Sequence, residues 1–150
     1  MLKFRYLSTL SLLAITIIFL SSFSKNQNNN GEWTKYKEID NVVIYSKIIH
    51  CNTKHNTANN EYIVFKYVNN NKYNIRISWK LDIWYDEICR SCDLDSPNEY
   101  EISLDIAGGQ ELEYVCSDDN KAFMLFKSSK KSNMYPSVRY EFNNLNVTKL

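Results

Sequence analysis

The fold class predicted by this sequence is all-β, an antiparallel two-sheet sandwich of about eight strands, and three observations predict it. Apolar and polar residues alternate along much of the chain, most extensively at Ile75, Ile77, Trp79, Leu81, Ile83 and Tyr85. Turn signals such as Asp40-Asn41, Asn69-Asn70-Asn71 and Gly108-Gly109 interrupt the alternation at strand-length intervals. The composition suits a pleated, half-buried surface, with 11 Tyr, 7 Phe and 3 Trp against 3 Gly and 2 Pro. A chain of 150 residues accommodates one domain, which buries roughly 68 to 70% of the surface its unfolded form exposes.

The first 24 residues have the layout of a secretory signal peptide. Lys3 and Arg5 form a positive start, an apolar run extends from about Leu10 to Leu20, and Ser22 and Ser24 make a small-x-small end. The run is shorter than the roughly 20 residues a spanning helix needs, so membrane contact is expected only during export. Removing Lys3 and Arg5 with no acid takes the formal charge from +1 to −1. Near-neutrality argues against nucleic acid, which demands a basic surface. The basic group Lys127, Lys130, Lys131 and Arg139 is expected to be a solvated loop.

Residues 25–31, KNQNNNG, contain nothing to bury and are expected to be a disordered leader. A single sandwich domain then spans residues 32–150. The segment 33–39 alternates weakly and ends at the Asp40-Asn41 turn. The strand over 41–51 has Val43, Tyr45 and Ile49 on one face and Val42, Ile44 and Ile48 on the other, which predicts burial on both sides. Residues 52–60 are polar and predict a loop. Ile63, Phe65 and Tyr67 define the next strand, after which Asn69-Asn70-Asn71 turns the chain into the strand that begins at Lys72. Arg76, Ser78, Lys80 and Asp82 occupy that strand's outward face, and Trp84 follows them outward. Tyr100 to Ile106 alternate again, and Gly108-Gly109 predicts a primed two-residue hairpin into Leu112, Tyr114 and Cys116. Residues 122–127 and 138–147 supply the last two strands.

If successive strands simply reverse, Cys51, Cys89, Cys92 and Cys116 gather at one end. An even cysteine set in an exported chain predicts disulfides, and four cysteines allow three pairings. Strand ends and adjacency favour Cys51 with Cys116 and Cys89 with Cys92, the first contributing roughly 3 to 4 kcal/mol through its long loop. Cys89-Arg90-Ser91-Cys92 also has the spacing of a redox dithiol. However, Asp93, Asp95 and Pro97 follow it, where a helix N-terminus or a cation would be needed to stabilise a thiolate. A four-thiolate zinc site lacks its second Cys-x-x-Cys knuckle.

Asp93, Asp95, Glu99, Asp118 and Asp119 are weak Ca²⁺ candidates. The glycine and distal glutamate of a hand-type loop are missing, so a solvated acidic rim is expected, with no metal and no cofactor. His50 and His55 have no identifiable nucleophile or carboxylate partner in the sequence and are expected to be surface histidines. Trp84 is the candidate binding residue: if it faces outward, an exposed large aromatic can mark a contact for a sugar ring or a protein, the alternative being that a loop or a second sheet covers it.

Tyr114-Val115-Cys116 resembles the Tyr-x-Cys of immunoglobulin domains, which implies an immunoglobulin-like sandwich architecture. Trp79 lies too far beyond Cys51 for the rest of that pattern. The leader, WKLDIWYDEICRSC, the glycine turn into LEYVC and the terminal RYEFNNLNV are similar to small exported proteins of uncharacterised function in flavobacteria and their relatives. That resemblance implies an exported β domain and carries no catalytic motif. The expected function is a secreted or periplasmic, non-catalytic binding or accessory domain for a protein or glycan partner. The alternatives are a thiol-disulfide protein using Cys89 and Cys92, and a carbohydrate-binding module using exposed aromatics.

Overall fold

The computed structural model describes residues 31–53, 56–113, 116, 120–129 and 136–150. The expected signal peptide and most of the leader, together with His55, Tyr114, Asp118, Asp119, Lys130 and Lys131, lie outside the described residues. Two antiparallel sheets form a sandwich. In the first, β1 (Thr34–Ile39), β2 (Val42–Thr53) and β3 (Asn56–Asn69) make a meander. The free edge of β3 is shared by two short strands. Later in the chain, β7 (Glu111–Glu113) pairs with Lys66–Val68 and β8 (Met124–Ser129) with Asn60–Val64. In the second sheet, β4 (Ile75–Tyr85) is central. Its partner along the whole length is β9 (Val138–Lys149), while β6 (Glu101–Ile106) and β5 (Ile88–Cys89) share the opposite edge. Nine described strands thus stand where about eight are expected, β5 being a two-residue strand within the Cys-x-x-Cys segment.

The inward faces follow the sequence alternation. Val42, Ile44, Ile63, Phe65 and Tyr67 from the first sheet meet Ile75, Ile77, Trp79, Leu81, Ile83 and Phe142 from the second. Aromatic rings interlock across the gap. Trp79 stacks on Phe142 at 5.0 Å, and Tyr67 and Phe65 approach these two rings at 5.3 and 5.1 Å; such pairs add to area burial. The predicted two-sided burial of β2 holds except at Ile48, which is 42% exposed. Ile49, Cys51 and Val64 form a smaller cluster on the outer face of the first sheet, covered by Trp33, Tyr62, Phe123 and Met124.

The unpaired edges of β1 and β9 lie side by side. The Phe142 carbonyl accepts from Lys37 Nζ at 3.5 Å, and its amide donates to the Tyr36 hydroxyl at 3.3 Å. These side chains occupy backbone groups that would otherwise template pairing with another chain.

Several local expectations need correction. The Asp40-Asn41 turn is not one of them: it forms as expected, both residues having positive φ, 46° and 60°, in the primed turn of the β1-β2 hairpin. Gly108-Gly109 does not form a hairpin, because it joins β6 in the second sheet to β7 in the first. Only Gly109 has positive φ, and Gly108 is required because a Cβ there would lie 2.6 Å from the Lys72 carbonyl carbon. The polar segment 52–60 is not simply a loop, since the β2-β3 ladder continues through Cys51 opposite Asn60 to Thr53 opposite Asn56. The strand expected to begin at Lys72 begins at Ile75. It stops at Tyr85, where Asp86 and Glu87 turn with positive φ.

Candidate functional site

Every second residue of β4 faces outward, giving Arg76, Ser78, Lys80, Asp82 and Trp84 a common surface. Cross-strand partners extend it on both sides. Asp105, Ser103 and Glu101 of β6 stand opposite Arg76, Ser78 and Lys80, and Asn146, Asn143, Glu141 and Arg139 of β9 stand opposite Ser78, Lys80, Asp82 and Trp84. Arg76 holds Asp105 through two hydrogen bonds, 2.6 and 2.7 Å, which keep that carboxyl below its ordinary range.

The Cys-Arg-Ser-Cys segment closes one end of this face. Beyond Lys80, β6 no longer covers the edge of β4, and the exposed backbone groups need other partners. Leu81 N donates to Tyr100 O at 2.9 Å, Ile83 N to Ser91 Oγ at 2.9 Å, and Arg90 N to Ile83 O at 2.8 Å. Lys80 Nζ reaches the Cys92 carbonyl at 2.7 Å. The Cys89–Cys92 bridge, with a Cα separation of 5.8 Å, closes the same loop, and Cys92 N donates to Cys89 Sγ. Ser91 is fully buried, and Asp82, expected on the solvent side, is only 7% exposed. Asn143 Nδ2 donates to Asp82 Oδ2 at 2.6 Å, and Lys80 Nζ lies 3.6 Å from its other oxygen.

Trp84 is half-buried on this outer face, opposite both Cys89 and Arg139. The Arg139 guanidinium carbon sits 3.6 Å from the ring centroid, a cation-π contact. Ile88 and Leu94, in the adjoining hairpin and loop, are 57% and 44% exposed.

The other cysteine pair lies on the first sheet. Cys51 and Cys116 are bridged with a Cα separation of 5.8 Å, so the four sulfurs form two separate pairs rather than one cluster. Asp93 and Asp95 are exposed, Glu99 pairs with Lys121 at 2.6 Å, and no group of three metal-ligating side chains occurs among the described residues.

One polar group was not apparent in the sequence. Glu61 lies opposite His50 in the β2-β3 ladder and opposite Ser128 in the β3-β8 ladder. Its Oε2 accepts from Lys127 Nζ and Ser128 Oγ, each at 2.7 Å, and Oε1 lies 3.5 Å from His50 Nε2. The bonds from Lys127 and then Ser128 hold the Glu61 carboxyl below its ordinary value. Lys127 therefore belongs to a strand and an ion pair, and Arg139 to a ring contact, so the expected basic loop does not form from these two. The carboxylate separates Ser128 from the imidazole, which leaves no serine-histidine pair of the kind nucleophilic catalysis uses. The β2-β3 register is the signal that finds this group, because it sets His50 against Glu61.

Comparison with protein-family models, curated proteins and solved structures finds no match to this chain.

Proposed function

We propose that the chain is an exported, non-catalytic binding domain, with the outer face of the second sheet around Trp84 as its contact surface. The observation that carries this reading is the pinning of the Cys89–Cys92 loop. Hydrogen bonds at Ile83, Ser91, Arg90 and Cys92 immobilise its backbone, while Arg90, Ile88 and Leu94 remain exposed. Ordering a surface before contact removes part of the entropic cost of binding, and Trp and Arg are the residue types that most often dominate contact energy. Export is supported by the layout of residues 1–24 and by two bridges that persist in an oxidising, secreted or periplasmic compartment. The near-neutral charge of the chain gives no support to a nucleic-acid partner.

A second reading, thiol-disulfide chemistry at Cys89 and Cys92, is favoured by one contact. The Cys92 amide donates to Cys89 Sγ at 3.0 Å, and the same bond would stabilise a Cys89 thiolate.

The binding reading is tested by co-sedimentation with a washed envelope fraction from the source cells. The mature protein is expected to co-sediment, and Trp84→Ala is expected to weaken this by at least about ten-fold, the effect of losing a dominant contact residue. Lys66→Ala, on the outer face of the other sheet, is expected to behave as wild type. Unchanged co-sedimentation of Trp84→Ala, or none for the wild type, contradicts the reading.

A further inference from the structure

A depression on the outer face of the second sheet, below Trp84, deepens this reading and rests on it. Its volume is about 450 Å³, and it is lined by the polar Ser78, Lys80, Glu101, Ser103 and Asn144 together with Trp79 and Ile102. That lies within the range of small-molecule sites, roughly 300 to 1,000 Å³.

The strand register shows how Asn144 reaches the rim. Ser78 pairs with Asn146 and Lys80 with Asn143, so two residues of β9, Asn144 and Leu145, oppose Trp79 alone. Such a bulge inserts an extra residue and re-aims side chains. Leu145 packs against the core, while Asn144 is exposed at the depression with φ of 52°. A left-handed asparagine inside a strand is strained backbone, and its position on this rim motivates a functional explanation.

The chemistry of the lining narrows the ligand. Ser78 and Ser103 are direct cross-strand partners, so two hydroxyls, each both donor and acceptor, stand side by side next to the Asn144 amide. The neighbouring cations are already engaged within the face. Arg76 is committed to Asp105, and Lys80 to Asp82 and the Cys92 carbonyl. An anionic ligand therefore finds no free cation among these residues, while hydroxyls and an amide beside the apolar groups of Trp79 and Ile102 suit a ligand that is both polar and uncharged. Trp84 stands six residues from Ser78 on the same face, roughly 20 Å along the strand, long enough for a chain of several pyranose rings ending at an aromatic.

We propose that this face binds a neutral polysaccharide, with Ser78, Ser103 and Asn144 bonding ring hydroxyls and Trp84 contacting a sugar at one end.

Affinity electrophoresis of the mature protein tests this against soluble neutral polysaccharides, namely β-1,3-glucan, β-1,4-xylan and mannan, with polygalacturonate as the anionic comparison. Retardation by at least one neutral polymer is expected, with little change as salt is raised. Asn144→Gly, which suits the positive φ and removes only the side chain, is expected to weaken retardation at least five-fold, as is Ser103→Val, each with an unchanged melting profile. Retardation by polygalacturonate alone, by no polymer, or undiminished in both variants overturns the proposal. If no polymer retards the protein but envelope co-sedimentation still depends on Trp84, the ligand class is wrong and the contact face stands. If Trp84→Ala changes neither measurement, the face itself is wrong.

Discussion

Asn69→Ala is expected to destabilise the domain by about 3 to 5 kcal/mol, one of the two largest single effects in the chain. Asn69 is fully buried at the end of β3, where the chain leaves the first sheet for the second. Its Nδ2 lies 3.0 Å from Tyr73 O, 3.1 Å from Ile106 O and 3.0 Å from Ala107 O, and its Oδ1 accepts from Asn71 N at 3.0 Å. One side chain thereby joins the exit of β3, the approach to β4 and the exit of β6. Truncation leaves several of these groups without a partner away from water, at about 1 to 3 kcal/mol each before relaxation. A thermal melt is expected to fall by on the order of 10 to 20 °C. Asn69→Asp separates hydrogen bonding from packing, because it keeps the shape but turns a carboxylate oxygen toward three carbonyls. It is expected to be at least as damaging as alanine, and a near-native melt for Asn69→Asp contradicts the assigned role.

Breaking the Cys51–Cys116 bridge by a Cys51→Ser, Cys116→Ser double replacement is expected to cost about 4 kcal/mol, given its separation of 65 residues and the loop-entropy relation. The geometry adds a local reason. Along β3 the neighbour is β8 at Asn60–Val64 and β7 at Lys66–Val68. Cys51 belongs to the small cluster on the outer face of the first sheet, with Ile49 and Val64, and its bridge pins Cys116 there. Chemical denaturation is expected to show a lower midpoint with a steeper slope, because the unfolded chain without the cross-link exposes more surface. An unchanged midpoint contradicts the contribution assigned to the bridge.

The parts of this fold that rest on side-chain parity were legible in the sequence. Ile75 to Ile83 alternate inward as their spacing predicts, and β2 buries both of its apolar series apart from Ile48. The two cysteine pairs match the pairing favoured by strand ends and adjacency. Features set by connections between strands were not legible. Gly108-Gly109 signals a chain reversal, but a local turn signal carries no information about which sheet the next strand joins. Asn69 belongs to a polar triplet whose composition marks a turn equally well whether its first member is exposed or clamps three connections. Asp82 has the correct outward parity and is nevertheless buried, bonded to Asn143 of β9, whose register lies far along the chain.

The candidate face shows the same division. Trp84 and the outward row of β4 follow from period-2 alternation. Arg139 over its ring and the bulge at Asn144 depend on the register of β9, which lies far along the chain. The His50–Glu61–Ser128 group likewise needs two ladders at once, and neither histidine nor serine is distinctive alone.

The Cys89–Cys92 loop decides between a structural clip for a binding face and a reagent. The folded, oxidised protein is exposed to a mild thiol, its free cysteines are alkylated, and the bridged peptides are mapped by mass spectrometry. A clip held by Ser91, Arg90 and Lys80 is expected to leave both Cys51–Cys116 and Cys89–Cys92 intact. Selective opening of Cys89–Cys92 in an otherwise folded protein, with transfer of its oxidation to a substrate dithiol, contradicts the binding-domain reading and assigns the loop to thiol-disulfide exchange.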